Sequence, residues 1–332
     1  MGKIDRMHQY ALKNLEKFGI TPMRRILSPE LFQAAQPNFM RSSTLLIPEV
    51  VFWLMATVSL TQKSMASSMS AFWAGLRGTM PFLPPTPITE EAFCIARKKL
   101  KLRFFKNVFS LVIRRYQDGH LADRYRWKGF RLLGIDGMKM SFPSSAKLKK
   151  YFPPASNRQG DARLAQGLLV GLVGLWDGLC YGFKLVSSKG SEQKCARHLI
   201  RRFLGHGDLL MCDRNFPDFH TLALILYHKA DYLFHLPSNR FHQLARIKTP
   251  SGREDEWFVV LRLPKPLQDQ FPYFAAEFTA RVIRYQRKGF RPSFLITSLL
   301  DTTFYRCEEI VNLYHERWRQ ETMHREGSIV FP

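Results

Sequence analysis

The sequence predicts a mixed α/β protein in which a helical N-terminal domain precedes a sheet-based domain. Three observations lead there: helical apolar spacing up to about residue 125, a strand–hairpin–helix–strand order carrying two aspartates, and a strand-rich stretch closed by a final helix. At 332 residues the chain exceeds one ordinary core, so two or three domains are expected. A hydrophobic content of 45%, with 13% aromatic residues, is ample to bury them.

The helical part has clear punctuation. Ser28-Pro29-Glu30 offers a capping hydroxyl, a proline suited to the first helical position and an acid for the first turn. Thr89-Glu90-Glu91 repeats that logic after the breaker Pro84-Pro85-Thr86-Pro87. The helix expected next places Phe93, Ala96, Leu100, Phe104 and Val108 on one apolar face. Arg97, Lys98, Lys99, Lys101, Arg103 and Lys106 fall on the other, where they are either solvated or set against DNA phosphates. The apolar run at 50–58 falls well short of the ~20 residues that span a bilayer, so it is expected to be a core helix. Residues 1–20 are charged throughout and carry no secretory signal, so a cytoplasmic, nucleoid-associated protein without a membrane partner is expected.

From about residue 129 the pattern becomes strand-like. Phe130-Arg131-Leu132-Leu133-Gly134-Ile135 leads into Asp136-Gly137, and two apolar segments flank Asp177-Gly178, a two-residue hairpin signal. A helix over 191–203 turns Cys195, Leu199 and Ile200 inward, and a buried strand over 208–212 delivers Asp213. Four more strands are expected between 231 and 300, separated by turns at Gly252, Pro264, Pro266 and Gly289. Helix returns at Cys307 and runs into Tyr-His-Glu-Arg-Trp-Arg-Gln-Glu, residues 314–321. The expected boundaries are thus 1–125, 126–230, 231–300 and 301–332.

Charge narrows the partners. With 50 Lys+Arg against 27 Asp+Glu the net charge is +23, which points to a polyanion, nucleic acid before others, beside the plainer reading of a solvated basic surface. The five cysteines are scattered, with no Cys-x-x-Cys pair, so neither a disulfide framework nor a zinc site is expected. None of the ten histidines stands at a metal-ligand spacing.

Asp136 and Asp213 each follow an apolar strand, where a side chain emerges into a crevice. Tyr314, Arg317 and Glu321 are spaced i, i+3 and i+7 and share one helical face. Glu316 is a rival acid but lies about 140° from Glu321 around a helix. Three carboxylates on rigid elements suit two Mg²⁺ ions about 3.5–4 Å apart, with Mn²⁺ as a substitute. Arg214, Lys139, Lys147, Lys149 and Lys150 flank the aspartates as candidate phosphate contacts. Trp318 is placed either in a core or against a displaced base.

The strand–hairpin–helix–strand order with two aspartates looks like a ribonuclease-H-like domain. Together, Ile135-Asp136-Gly137, Cys212-Asp213-Arg214-Asn215-Phe216 and Tyr314-x-x-Arg317-x-x-x-Glu321 resemble the insertion-sequence-four family of bacterial DDE transposases. Residues 89–100 are similar to that family's N-terminal helical region. The resemblance implies Asp136, Asp213 and Glu321 as catalytic, metal-binding acids, with Tyr314 and Arg317 on DNA phosphate near the cleaved end. It also implies a DNA-binding helical domain over 1–125, a ribonuclease-H-like core split by an inserted β-strand subdomain over 231–300, and a catalytic helix within 301–332. The partners implied are double-stranded DNA, as terminal inverted repeats and target, and a second copy in a dimer on that DNA. The family pattern carries a lysine seven residues beyond the Glu, where this chain has Ser328, so a C-terminally truncated copy is expected. A catalytically inactive remnant that only binds DNA is the alternative, followed by a nuclease that cleaves without joining.

Overall fold

The structure, a computed structural model, describes residues 20–317 apart from 25–26, 36–44, 62–63, 120–121, 155, 158–159, 162, 250 and 288. Two compact units divide at Ala122/Asp123.

The first unit is helical: α1 (Thr21–Arg24), α2 (Pro29–Ala35), α3 (Pro48–Thr61), α4 (Met65–Thr79), α5 (Glu90–Lys99) and α6 (Leu102–Asp118). Pro29 opens α2 as its position predicts, and Thr89 caps α5 by accepting the Ala92 N–H at 3.2 Å. Phe32, Trp53, Leu54, Trp73, Leu76, Phe93 and Phe104 form the core, each contributing about 1.5–3 kcal/mol through burial. The run at 50–58 lies in α3, inside that core. Glu49, buried beside it, holds the Arg24 guanidinium in a two-pronged ion pair at 2.6 and 2.9 Å.

One helix expected from the apolar stripe is two. Leu100 and Lys101 take extended backbone angles, so α5 ends and α6 starts anew. The stripe survives because both helices bury it, at Phe93, Ala96, Leu100, Phe104 and Val108. No glycine or proline marks the break, so local sequence carried no signal for it. The basic residues at 97–99, 101, 103 and 106 are exposed. No helix among the described residues is long and apolar enough to cross a membrane.

The second unit is built on one sheet. Its strands are β1 (Arg126–Trp127), β2 (Phe130–Phe142), β5 (Ala165–Gly174), β6 (Cys180–Ser187), β7 (Asp208–Cys212), β8 (Asp231–Leu236), β9 (Arg246–Lys248), β10 (Glu256–Arg262), β11 (Glu277–Tyr285) and β12 (Ser293–Thr297). A small separate hairpin supplies β3 (Ser156–Asn157) and β4 (Gly160–Asp161). Helices α7 (Ala146–Tyr151), α8 (Glu192–Phe203), α9 (Phe219–Tyr227), α10 (Ser238–Phe241), α11 (Lys265–Gln270) and α12 (Cys307–His315) complete the unit.

Spatial order runs β6-β5-β2-β7-β8 and continues β12-β11-β10-β9. β2, β7 and β8 are parallel neighbours, while β5 is antiparallel to both β2 and β6. That is the ribonuclease-H-like arrangement expected from the strand–hairpin–helix–strand order.

Two expectations need correction here. The segment 231–300 does not form a sheet of its own. β8 is the fifth core strand, and β9–β12 extend the same sheet by antiparallel pairing. Polar turns looked like a subdomain border, but hydrogen bonding across β12 and β8 continues the ladder without a break. The Asp177-Gly178 hairpin is also longer than a two-residue loop. Leu175 is buried and its N–H bonds the Leu132 carbonyl at 2.9 Å, which pulls it out of the hairpin ladder. Asp177 and Gly178 still make the turn, Gly178 at φ 72 and Asp177 accepting from the Leu179 N–H at 2.9 Å.

α8 and α12 cover opposite faces of the sheet. Leu132 packs with α12, whereas the Gly137 position meets Glu192 of α8, and odd and even residues of a strand face opposite ways. The α12 face buries Leu209, Met211, Leu233, Leu295, Ile310, Leu313 and Tyr314 around one core.

Candidate functional site

β2 and β7 bring the two aspartates together. Their register pairs Arg131 with Asp208 and Gly134 with Met211, and the same offset two residues further sets Asp136 beside Asp213. Neighbouring strands lie about 4.8 Å apart, so both carboxyls leave one edge of one sheet face. Asp136 stands in the middle of β2 rather than at its end, because pairing with β5 continues to Phe142. It is β7 that ends, at Cys212, so that Asp213 follows directly from a strand end.

Backbone groups fix both carboxylates. Asp136 Oδ1 accepts the Gly137 N–H at 2.9 Å, and Asp213 accepts the Asn215 N–H at 2.9 Å and its side-chain amide at 3.3 Å. Deeper in the same pair of strands, Arg131 grips Asp208 through two 2.8 Å contacts, a fork that holds β2 to β7.

The final helix is tied to this edge. Tyr314, buried to 5% exposure, donates its hydroxyl to the Cys212 carbonyl at 3.3 Å, directly before Asp213. The expected contact of Tyr314 with a DNA phosphate therefore gives way to an anchoring contact inside the protein. Burial also pushes the Tyr314 phenol well up. Arg317 follows the last turn of α12, half-buried, with its guanidinium 5.7 Å from the Tyr314 ring centroid. Arg214, directly after Asp213, is exposed. Lys139 is not brought to the aspartates: three residues after Asp136 on a continuous strand, it leaves the opposite face. Lys147, Lys149 and Lys150 lie on or beside the short helix α7. Glu321, Trp318 and Ser328 lie outside the described residues.

Two residues join the site that the sequence did not single out. Glu192, first residue of α8, reaches the Gly137 backbone from the other side of β2. Burial raises its carboxyl above the usual carboxylate range, and the charges of Asp136 and Asp213 raise it further. A methyl group at Gly137 would sit within 3.0 Å of the Glu192 carboxyl carbon. His235 of β8 lies across from Tyr314, ring centroids 6.4 Å apart. Burial lowers the His235 imidazole, with Arg214 reinforcing and Asp213 opposing. In the sequence Glu192 reads as an ordinary first-turn acid behind the Ser191 cap, and only the glycine beside Asp136 hinted at a close approach.

Gly137 supplies a direct prediction. Gly137→Ala displaces only the free end of the flexible Glu192 side chain, so it moves that carboxyl away from β2 at little cost in stability. Gly171→Ala, at the β5 residue paired with Asp136, adds a methyl to open space. The Glu192 carboxyl, followed by NMR titration, is expected to fall toward an ordinary carboxylate in the first and to keep its parent behaviour in the second. Equal effects would contradict this packing.

Among the described residues no set of three or more His, Cys, Asp or Glu is placed to hold a metal ion. Asp136 and Asp213 fit one as far as they go: both are hard oxygen donors.

The strand order and the paired aspartates define the class: a mixed α/β protein of ribonuclease-H-like fold. The particular relationship comes from sequence. The chain is 24% identical over 279 residues to transposase InsG for insertion sequence element IS4 of Escherichia coli (strain K12), and by that match it is related to the insertion-sequence-four transposases. The match covers 84% of this chain and 61% of the relative, so the chain spans about three fifths of that protein's length. No protein-family model matches. A solved structure of piggyBac transposase in a synaptic complex with hairpin DNA overlaps 90% of this chain and 57% of its own, at 10% identity and a TM-score of 0.39, too loose an overlap to carry the fold assignment.

Proposed function

We propose that this chain acts on DNA as a DDE-type transposase, binding terminal inverted repeats as a dimer and cutting and joining strands with divalent metal. One observation carries the reading: the β2–β7 register sets Asp136 beside Asp213, the residue that follows β7, in a chain similar in sequence to a transposase. Net charge +23 supports a DNA partner.

In this reading Asp136 and Asp213 present oxygen ligands already oriented by the Gly137 and Asn215 N–H groups. Bound Mg²⁺ would polarise the phosphodiester and activate the attacking oxygen. Glu321 would add the third carboxylate. Arg317 and Arg214 would hold phosphate oxygens. Glu192 adds negative potential beneath the aspartates and favours a cation there. Tyr314 is a positioning residue that pins α12 to the end of β7.

The test is incubation of the protein with duplex DNA carrying the element's ends, with Mg²⁺ and with EDTA. Nicks that appear only with Mg²⁺ support the proposal, and binding without nicks overturns it for this chain. Tyr314→Phe separates anchoring from DNA contact. Removing the hydroxyl leaves the Cys212 carbonyl without that bond, a loss of about 1 kcal/mol. Cleavage is expected to fall while DNA affinity in a gel shift stays at the parent value. Lost affinity with intact stability would instead return Tyr314 to the phosphate.

A further inference from the structure

On the second unit, α9 and the turn after α11 build an aromatic cluster that reaches solvent. Tyr227 and Tyr273 pack at 4.9 Å between ring centroids yet remain 51% and 55% exposed. Phe271 and Phe274 stack at 5.1 Å beneath them, and His220 sits 4.5 Å from Phe271. Arg201 of α8 reaches the His220 ring nitrogen at 3.2 Å, next to exposed Arg202. Tyr227 and Tyr273 both pack against buried Phe274, which holds their rings in place while leaving about half of each open to solvent.

The charge around the cluster selects a partner. The nearby acids are engaged, Asp218 with Arg197 and Asp269 with Lys265. What remains outward is positive. A second copy, itself at +23, would set Arg201 and Arg202 against like charges. A polyanion with flat faces meets both demands, because unpaired bases stack on aromatic rings while phosphates pair with guanidinium groups.

We propose that Tyr227, Tyr273 and Arg201 form a docking surface for single-stranded nucleic acid. It stands independently of the metal-dependent reading above, since binding here requires neither aspartate. Because stacking uses the ring and not the hydroxyl, tyrosine and phenylalanine are interchangeable on this surface and alanine is not.

The experiment is fluorescence anisotropy of the whole chain with a labelled unpaired oligonucleotide, run at raised salt to suppress non-specific phosphate attraction. Tyr227→Ala with Tyr273→Ala is expected to weaken binding roughly ten- to hundred-fold. Tyr227→Phe with Tyr273→Phe is expected to bind like the parent, and Arg201→Gln to lower the salt dependence by about one phosphate contact. Parent-like binding by the alanine pair, with a parent-like melt, overturns the proposal. So does sedimentation showing that the parent self-associates through this face and the alanine pair does not.

Discussion

Asp136→Asn and Asp213→Asn are each expected to abolish Mg²⁺-dependent nicking while leaving duplex binding and folding intact. The exchange keeps shape and removes one anionic oxygen ligand. Metal-assisted phosphodiester chemistry draws several kcal/mol from the bound ion, and about 1.4 kcal/mol is tenfold in rate, so a loss of at least about a thousand-fold is expected. The folding side runs the other way. Asp136 and Asp213 both raise the Glu192 carboxyl, so without metal the three groups repel, and removing either charge relieves the fold. Each Asn variant is therefore expected to melt at or above the parent in EDTA. A variant that loses nicking because it unfolds would place the aspartates in the scaffold rather than the chemistry. Retained nicking would remove them from the site.

Glu256→Gln is expected to be the most destabilising single change in the sheet. Glu256 of β10 and Arg281 of β11 form an ion pair at 1% and 0% exposure, and Ser251 donates its hydroxyl to Glu256 at 2.6 Å. The Arg281 guanidinium also donates to the Leu299 carbonyl at 3.3 Å and the Tyr305 carbonyl at 2.7 Å, just before α12. Removing one partner leaves a buried charge unmatched, a penalty of about 3–5 kcal/mol. Urea unfolding should show the loss in the midpoint. Because Arg281 holds the segment that leads into α12, DNA cleavage should fall with it. Replacing both partners together, Glu256→Leu with Arg281→Met, should recover only the part of the stability lost to the unpaired charge, because the Leu299 and Tyr305 carbonyls then lack their Arg281 donor. A loss below about 1 kcal/mol for Glu256→Gln would contradict this account of the pair.

Much of the scaffold was legible. The apolar runs before Asp136 and Asp213 predicted strands because four or five consecutive buried residues have few other uses, and Asp177-Gly178 marked its turn through the conformational freedom of Gly178. The apolar stripe through Phe93 and Phe104 predicted which face is buried, but not the break at Leu100–Lys101, where the backbone turns without a breaker residue. The site was half legible. The paired aspartates follow from the apolar runs that precede them, although only Asp213 stands at a strand end, whereas Glu192 and His235 enter through contacts between elements far apart in sequence, which no spacing encodes. Lys139 shows a readable signal passed over: three residues from Asp136 on a strand is an odd step, and an odd step changes face. Tyr314 was expected outward because helical spacing aligned it with Arg317, yet burial against the end of β7 claimed its ring.

The central claim is that Asp136 and Asp213 together hold a divalent cation. Mn²⁺ titration followed by electron paramagnetic resonance tests it without any dependence on cleavage. The account predicts saturable Mn²⁺ binding by the parent chain, displaced by Mg²⁺, and its loss in the Asp136→Asn and Asp213→Asn variants. Binding of equal strength in the parent and in both variants would contradict it.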